Sequence, residues 1–511
     1  MKRKIFKCAM LVLAALATGP LPASTSLRAR ATPRIASHEA DFAARLSAFI
    51  DRLNADPNAP PGMAVIVVQA NRTLLIRVHG VRNVATGAPM TPQTPIYTGS
   101  TTKSYTGLLA AELDRKGLLT LGTSLADIWP GLILPAPLDP SHITAAHLLS
   151  HSADISDSGL VFQSNDSGEY SLDEVPQHLA RFAVPLGAPF RYSNFGPFLY
   201  SMMAEKRLGR GWRELMEEHV LRPLGLRRTS ARLEDFRPDE PSRCHSRIEP
   251  GAGWETIEPK PTPLLNAAGG LYASIEDAGR FLRAFTSRGG SARERIPASS
   301  LARTAQIFSN QDAQTWGFHR RHYGLGWDIS TYGNRTVLLR AGVYPGCRAM
   351  YVIDPEAQLA IAVLTASDIA GHGYNAAIVQ QAIDLWSGSP DAGASAERRI
   401  TEFSRDAAAA VARAQRARAV MVAPARVGDL RVYEGRYANE RLGVFTISVQ
   451  GAGLRARMGL FSLLLTPVAP DRFEGIDALN QQSTTFAFRR GNGGRPTELL
   501  WGDREFQRVG D

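Results

Sequence analysis

Thr94-Pro95-Ile96-Tyr97-Thr98-Gly99-Ser100-Thr101-Thr102-Lys103 carries the features on which the architecture of the chain turns. Past Gly99 the chain becomes amphipathic: Tyr105, Leu108, Leu109 and Leu113 recur at helical spacing, and Gly117 stands where a helix would be capped. Ser100 and Lys103 are then three apart on one helix face. A serine hydroxyl needs a base to become a nucleophile, and an amine serves once desolvation and nearby positive charge lower its pKa. The Ser100 amide, at the helix start, is placed to donate to a developing oxyanion. Alone, the pair is also what a capping serine ahead of a surface lysine gives.

Working outward, residues 38–54 carry a helical pattern at Phe42, Leu46, Phe49, Ile50 and Leu53, which Pro60-Pro61-Gly62 ends. Met63–Val68 and Leu74–Val78 flank Asn71-Arg72 and read as a hairpin. Near the other end of this region Ala349–Ile353 and Leu359–Leu364 flank Asp354-Pro355-Glu356-Ala357, and Asn375–Trp386 is again helical. The expectation is an α/β body: one antiparallel sheet built from both ends, flanked by helices, with a mostly helical region inserted between them. Ser387–Gly393 is linker-like, and Arg398–Val420 reads as an Ala/Arg-rich helical connector. Beyond 429 come short strands at Val444–Val449, Leu454–Met458, Ser462–Val468, Thr485–Arg489 and Phe506–Val509, the pattern of a small all-β barrel or sandwich. The expected organisation is a signal peptide at 1–23, an unstructured lead at 24–37, a catalytic body at 38–387, a connector at 388–428 and a β domain at 429–511.

The 511 residues are 44% hydrophobic and 21% charged, which excludes a mainly disordered chain and a polytopic membrane protein. The net charge of +10 raises the question of nucleic acid, but its distribution argues against it. Four of the positive charges, Lys2, Arg3, Lys4 and Lys7, precede the short apolar run Cys8–Ala17 and small-residue cleavage options at Ala17 and Ala23. That is an export signal, and the +6 that remains is scattered and Arg-dominated. The expectation is an exported, periplasmic or secreted protein without a lasting membrane span, acting on a small-molecule or peptide substrate and not on nucleic acid. Seven residues are lysine, and of the four after the signal, at 103, 116, 206 and 260, Lys103 alone has a serine three residues ahead. No metal and no cofactor is expected: His147 and His151 are four apart, but no third ligand follows at zinc spacing. Cys244 and Cys347 are read as two separate buried thiols in preference to a disulfide.

Ordered landmarks join the Ser100 segment. They are Pro61-Gly62-Met63-Ala64-Val65, Val78-His79-Gly80, Lys116-Gly117-Leu118-Leu119-Thr120-Leu121, His147-Leu148-Leu149-Ser150-His151-Ser152, Phe190-Arg191-Tyr192-Ser193-Asn194-Phe195-Gly196, Ala268-Gly269-Gly270-Leu271 and Tyr323-Gly324-Leu325-Gly326-Trp327. Over residues 40–386 the chain resembles the class C β-lactamase-like serine hydrolases, which include β-lactamases, D-amino-acid peptidases and esterases. It departs where Ala153-Asp154 follows His151-Ser152 in place of the glycine common there. Gly435-Arg436-Tyr437 and Phe506-Gln507-Arg508-Val509 resemble the lipocalin-like domain that often follows this body, which would serve either as a spacer or packing module or as a loop that restricts the site's mouth.

The resemblance implies Ser100 as nucleophile, and Lys103 with Tyr192 as the proton-transfer pair. A phenol near an ammonium titrates low enough to trade protons, and the Asn194 amide has both a donor and an acceptor to orient a substrate. The third motif is altered. Arg340-Ala341-Gly342 stands where the family has Lys or His, a small residue and Gly. An arginine keeps a charge that holds Lys103 neutral or binds a substrate carboxylate, but it is no acid or base near pH 7. Gly342 would let substrate approach the strand closely, and the Val343 amide would be the second oxyanion donor. The implied activity is acyl transfer through Ser100 on an amide, an ester or a D-amino-acid peptide, or on a β-lactam. The alternative, motivated by Arg340, is a weakened homologue that binds cell-wall peptide or a protein partner.

Overall fold

The computed structural model describes residues 33–246, 253–287, 296–369, 371–419, 427–477, 482–491 and 494–510. The expected signal peptide, most of the lead and the end of the connector lie outside these. The chain divides into two units. In the first, residues 1–41, the described residues are helical. Residues 42–511, the second unit, hold every contact described below.

Helix α1 (Pro33–Asn54) begins five residues before the expected 38. A proline tolerates the first helical turn because its missing N–H has no partner there anyway. The main sheet is antiparallel. Its strands are β1 (Gly62–Gln69), β2 (Arg72–Asn83), β3 (Ser309–Thr315), β4 (Phe318–Tyr323), β5 (Asp328–Tyr332), β6 (Arg335–Tyr344), β7 (Cys347–Asp354) and β8 (Leu359–Thr365), in the order β2-β1-β8-β7-β6-β5-β4-β3, with Ala88–Pro89 pairing outside β2. Met63 lies opposite Thr365 and Gln69 opposite Leu359, so the two expected hairpins meet and close one sheet from both ends.

Strand β1 is buried on both faces and sorts its residues by the two-residue period. Met63, Val65 and Val67 pack with Phe42, Leu46 and Phe49 of α1 and with α5 (Gly373–Trp386). Ala64, Ile66 and Val68 pack on the other side with α2 (Thr102–Arg115) and α4 (Ile275–Thr286). The inserted region is helical from 102 to 224, as expected, and residues 309–344 add four strands to the sheet that the sequence did not announce. Ser309-Asn310-Gln311-Asp312-Ala313-Gln314-Thr315 lies at the sheet edge, where a polar strand carries no apolar alternation to read.

Cys244 and Cys347 are joined in a disulfide, against the expectation of separate thiols. The bond ties strand Cys244–Ser246 to the start of β7, and the His245 amide donates to the Gly346 carbonyl at 2.9 Å beside it. Helix α6 (Ala392–Ala419) follows α5, held by the Arg399–Asp384 ion pair. Eight antiparallel strands between Gly435–Asn439 and Arg504–Arg508 then form a closed barrel. Its interior is filled by Tyr437, Phe445, Phe473, Phe486, Phe488 and Trp501. No helix among the described residues is long and apolar enough to cross a membrane.

Candidate active site

Ser100 sits in the 3-10 turn Gly99–Thr101 that leads straight into α2, so Lys103 falls one turn along on the same face. The Lys103 side chain is buried, and its Nζ lies 3.1 Å from Ser100 Oγ, 2.7 Å from Asn194 Oδ1 and 2.7 Å from the Ala268 carbonyl. Two of those partners are carbonyl oxygens that can only accept. They fix two amine hydrogens, and the third direction, toward Ser100, is left for a lone pair when the amine is neutral. Burial pushes Lys103 below its ordinary pKa; Tyr192 opposes that shift and Arg340 reinforces it.

Asn194 occupies the N-cap position of α3 (Phe195–Leu208), yet its side chain makes no capping bond. It gives up a contribution of about 1 kcal/mol and turns its carbonyl to Lys103 instead. Tyr192, two residues earlier, places its ring centre 4.9 Å from Lys103 Nζ. Burial alone would push its phenol up. The charges of Arg340 and Lys103, with hydrogen bonding toward Lys103 and Ser100, outweigh that and bring it down to about 8.

Strand β6 passes directly against the serine turn. A Cβ on Gly342 would sit 1.9 Å from the Thr98 carbonyl oxygen, and one on Gly99, which has φ +53°, would sit 2.9 Å from the Val343 nitrogen. Glycine at both positions is what brings the Val343 backbone beside Ser100. The crowding at Gly342 therefore comes from the protein's own Thr98, where the sequence reading expected substrate.

Arg340 is placed differently from one of its two expected roles. It is 5% exposed and absent from the cavity wall. It donates to the Tyr323 hydroxyl at 2.8 Å and to the Ala341 carbonyl at 3.2 Å, lies 3.4 Å from Asp328, and stacks beneath Tyr192. With these partners it is not available as a carboxylate clamp. Its positive charge acts on Lys103 and Tyr192, the other expected role.

Sequence reasoning missed several residues of this site. His151, buried at φ +60°, packs its ring 4.6 Å from that of Tyr192 and pairs through Nε2 with the Tyr323 hydroxyl at 3.2 Å. Its Nδ1 accepts from the Ser193 amide at 3.4 Å, so Nε2 carries the proton. Burial, then Lys103 and Arg340, hold it well below its usual pKa and therefore neutral. His147, four residues earlier, is exposed and closes a capping box with Thr144 at the start of the helix Ala145–Leu149. The signal for His151 was its landmark segment; nothing local marked it as a neighbour of Tyr192.

Ser100, Asn194 and Val343 open onto a cavity of about 340 Å³, whose far walls include Asn165, Asp166 and Lys260. Among the described residues no barrel residue lines it. The barrel instead grips the wall from behind: the Leu460 amide donates to the Ser167 carbonyl at 2.9 Å, at the end of the π-helical turn Gln163–Ser167.

The family model "Beta-lactamase" matches residues 47–382. Penicillin-binding protein 4 of Amycolatopsis lactamdurans is 24% identical over 341 residues, which is 63% of this chain and 84% of that protein. The octameric penicillin-binding protein homologue of Pyrococcus abyssi superposes with a TM-score of 0.57 at 20% identity, over 91% of this chain and 99% of its own. The D-amino acid amidase of Ochrobactrum anthropi SV3 gives 0.57 at 20% identity, over 68% and 99%. The last two likenesses carry the fold. The family model spans the serine turn, the Tyr192–Asn194 loop and strand β6, and the chain belongs to the β-lactamase family of serine hydrolases.

Proposed function

We propose that the protein hydrolyses a small amide or ester, with a D-amino-acid peptide or a β-lactam within that class, through a covalent acyl-enzyme on Ser100. The observation that carries this reading is the Lys103 amine, buried and fixed by two carbonyls with its remaining direction on Ser100 Oγ. Ser100 Oγ attacks the carbonyl carbon, and its proton passes to the Lys103–Tyr192 pair. The new Oγ–C bond leaves an oxyanion between the Ser100 and Val343 amides, where each such donor contributes about 3–4 kcal/mol. Collapse expels the leaving group, which takes the proton back from Tyr192. Water, deprotonated by the same pair, then releases the acid and restores Ser100. Asn194 orients the substrate through the amide nitrogen that Lys103 leaves free.

The names of the relatives, a penicillin-binding protein and a D-amino acid amidase, support the amide side of this class. The Cys244–Cys347 disulfide supports export, because such bonds persist in oxidising compartments. The alternative, a binder without turnover, rested on Arg340, and a persistent charge beneath Tyr192 speaks against it. The test is steady-state hydrolysis of a panel of chromogenic esters, D-aminoacyl anilides and a cephalosporin. Turnover of at least one that is lost in Ser100→Ala supports the reading, and turnover equal in both proteins refutes it.

A further inference from the structure

The cavity in front of Ser100 has a lysine in its wall, distinct from Lys103, which lies behind the serine and does not line it. Lys260 is 7% exposed, lines the same cavity as Ser100, Asn194 and Val343, and has neither a hydrogen bond nor an ion pair from its Nζ to a described residue. The Tyr344 ring centroid lies 6.0 Å from its Nζ. That Nζ is not among the fully buried unpartnered atoms of the described residues, so the ammonium opens onto the cavity with donors a bound ligand can take. The backbone is built to hold it. Lys260 stands between Pro259 and Pro261, which fix φ on both sides and keep the lysine itself extended. Its carbonyl also accepts from the Tyr272 hydroxyl at 3.4 Å.

Arg340, the cation the third motif supplies, is spent on Tyr323, Asp328 and the underside of Tyr192. Lys103 is spent on Ser100, Asn194 and Ala268. Among the described residues, that leaves Lys260 as the cation of the cavity wall with donors to offer.

We infer that Lys260 is the specificity-determining residue of this site and selects acyl substrates that carry a carboxylate, pairing its ammonium with that group while Ser100 attacks. The inference rests on the proposed role of Ser100 and adds the substrate's charge to it. The groups that face Lys260 are Asp166, on the Gln163–Ser167 turn, Lys103 on α2 and Tyr344 on β6. Burial lowers the amine to about 8, Asp166 opposes the shift and Lys103 adds to it. The amine is therefore charged at neutral pH and loses its charge above about 8.

The test compares kcat/KM for matched pairs of activated esters. One pair carries the charge on the acyl side: 4-nitrophenyl hemisuccinate against its methyl ester. The other carries it on the leaving group: 3-acetoxybenzoate against its methyl ester. The expected result is a preference for the free acid of roughly tenfold or more in one pair, the size of a charge-assisted hydrogen bond; the pair that shows it tells which side of the scissile bond Lys260 reads. Lys260→Met abolishes that preference and Lys260→Arg retains it. In the wild type the preference fades above pH 8, whereas in Lys260→Arg it persists to pH 10. Because each value is a ratio of two substrates on one enzyme, the titration of Tyr192 cancels. No preference in either pair, or an equal preference in Lys260→Met, overturns the inference while leaving Ser100 in place. Hydrolysis of the methyl esters that survives Ser100→Ala overturns the reading beneath it, and the inference with it.

Discussion

The guanidinium carbon of Arg340 lies 4.8 Å from the centre of the Tyr192 ring, and the same group donates to the Tyr323 hydroxyl at 2.8 Å. A cation in this position stabilises a phenolate and does not itself titrate near neutrality. The account expects kcat/KM to rise with pH and level off near 8, where Tyr192 loses its proton. Arg340→Met removes the charge, pushes the phenol up and moves that rise to higher pH. Activity at pH 7 then falls roughly tenfold for each pH unit of displacement. Arg340→Lys keeps the charge and moves the rise less. A pH–rate profile of Arg340→Met that coincides with the wild type contradicts this role.

Four histidines are held below their ordinary pKa, His151, His219, His245 and His372, in each case with burial as the largest cause. Each takes up a proton more readily in the unfolded chain than in the folded one. Their contribution to stability is complete above the ordinary value of 6.5 and is lost as pH falls below it, down to about 3 for His372. Asp277, pushed up by burial, works in the opposite sense at lower pH. The melting temperature is expected to decline steadily from pH 7 to pH 5, measured by calorimetry. A flat profile over that range contradicts the neutral, buried state of these rings.

The Cys244–Cys347 bond closes a loop of 103 residues. In the chain-entropy picture a loop of that length stabilises by about 4–5 kcal/mol. Its second consequence is local, because Tyr344 and Pro345, immediately before Cys347, belong to the cavity wall. Reduction, or the pair Cys244→Ser and Cys347→Ser, is expected to lower the melting temperature and raise KM more than it lowers kcat. Unchanged KM with a lowered melting temperature would confine the bond to stability.

A tight turn of the barrel meets the segment behind the cavity wall, beside the contacts made by Phe162 and Arg441. Gly459 has φ +53°, and a Cβ there would meet the Ser167 carbonyl oxygen at 2.3 Å. Gly459→Val forces the barrel turn away from the Gln163–Ser167 segment, which presents Asn165 and Asp166 to the cavity. Substrate binding is expected to weaken, with KM rising severalfold and kcat changing less, in steady-state kinetics on an ester. A Gly459→Val enzyme with native KM shows that this turn does not position the wall.

Much of this was legible in the sequence because the relevant signals are local. Ser100 and Lys103 share a helix turn, β1 reads as a β-branched run, and the hairpin at 347–365 is bounded by its own turn residues. The barrel strands alternate cleanly because one face of each is the filled interior. What escaped depends on distant parts of the chain. His151 meets Tyr192 and Tyr323 only after three separate segments converge, and its φ of +60° is set by that packing. Arg340 reads as a pocket cation from its strand alone; Asp328 and Tyr323 on the neighbouring strands turn it inward. Lys260 had one signal in hand, the Pro259-Lys260-Pro261 sequence in a chain so poor in lysine. Without its cavity that pattern reads as a stiff surface loop.

The account stands on Ser100 as the residue that becomes acylated. The most direct measurement is intact-mass and peptide-mapping analysis of the wild type and Ser100→Ala after exposure to a fluorophosphonate probe. The account predicts one adduct on the wild type, located on Ser100 within the Thr98–Lys103 segment, and none on Ser100→Ala. An adduct on another residue, or equal labelling of both proteins, contradicts it.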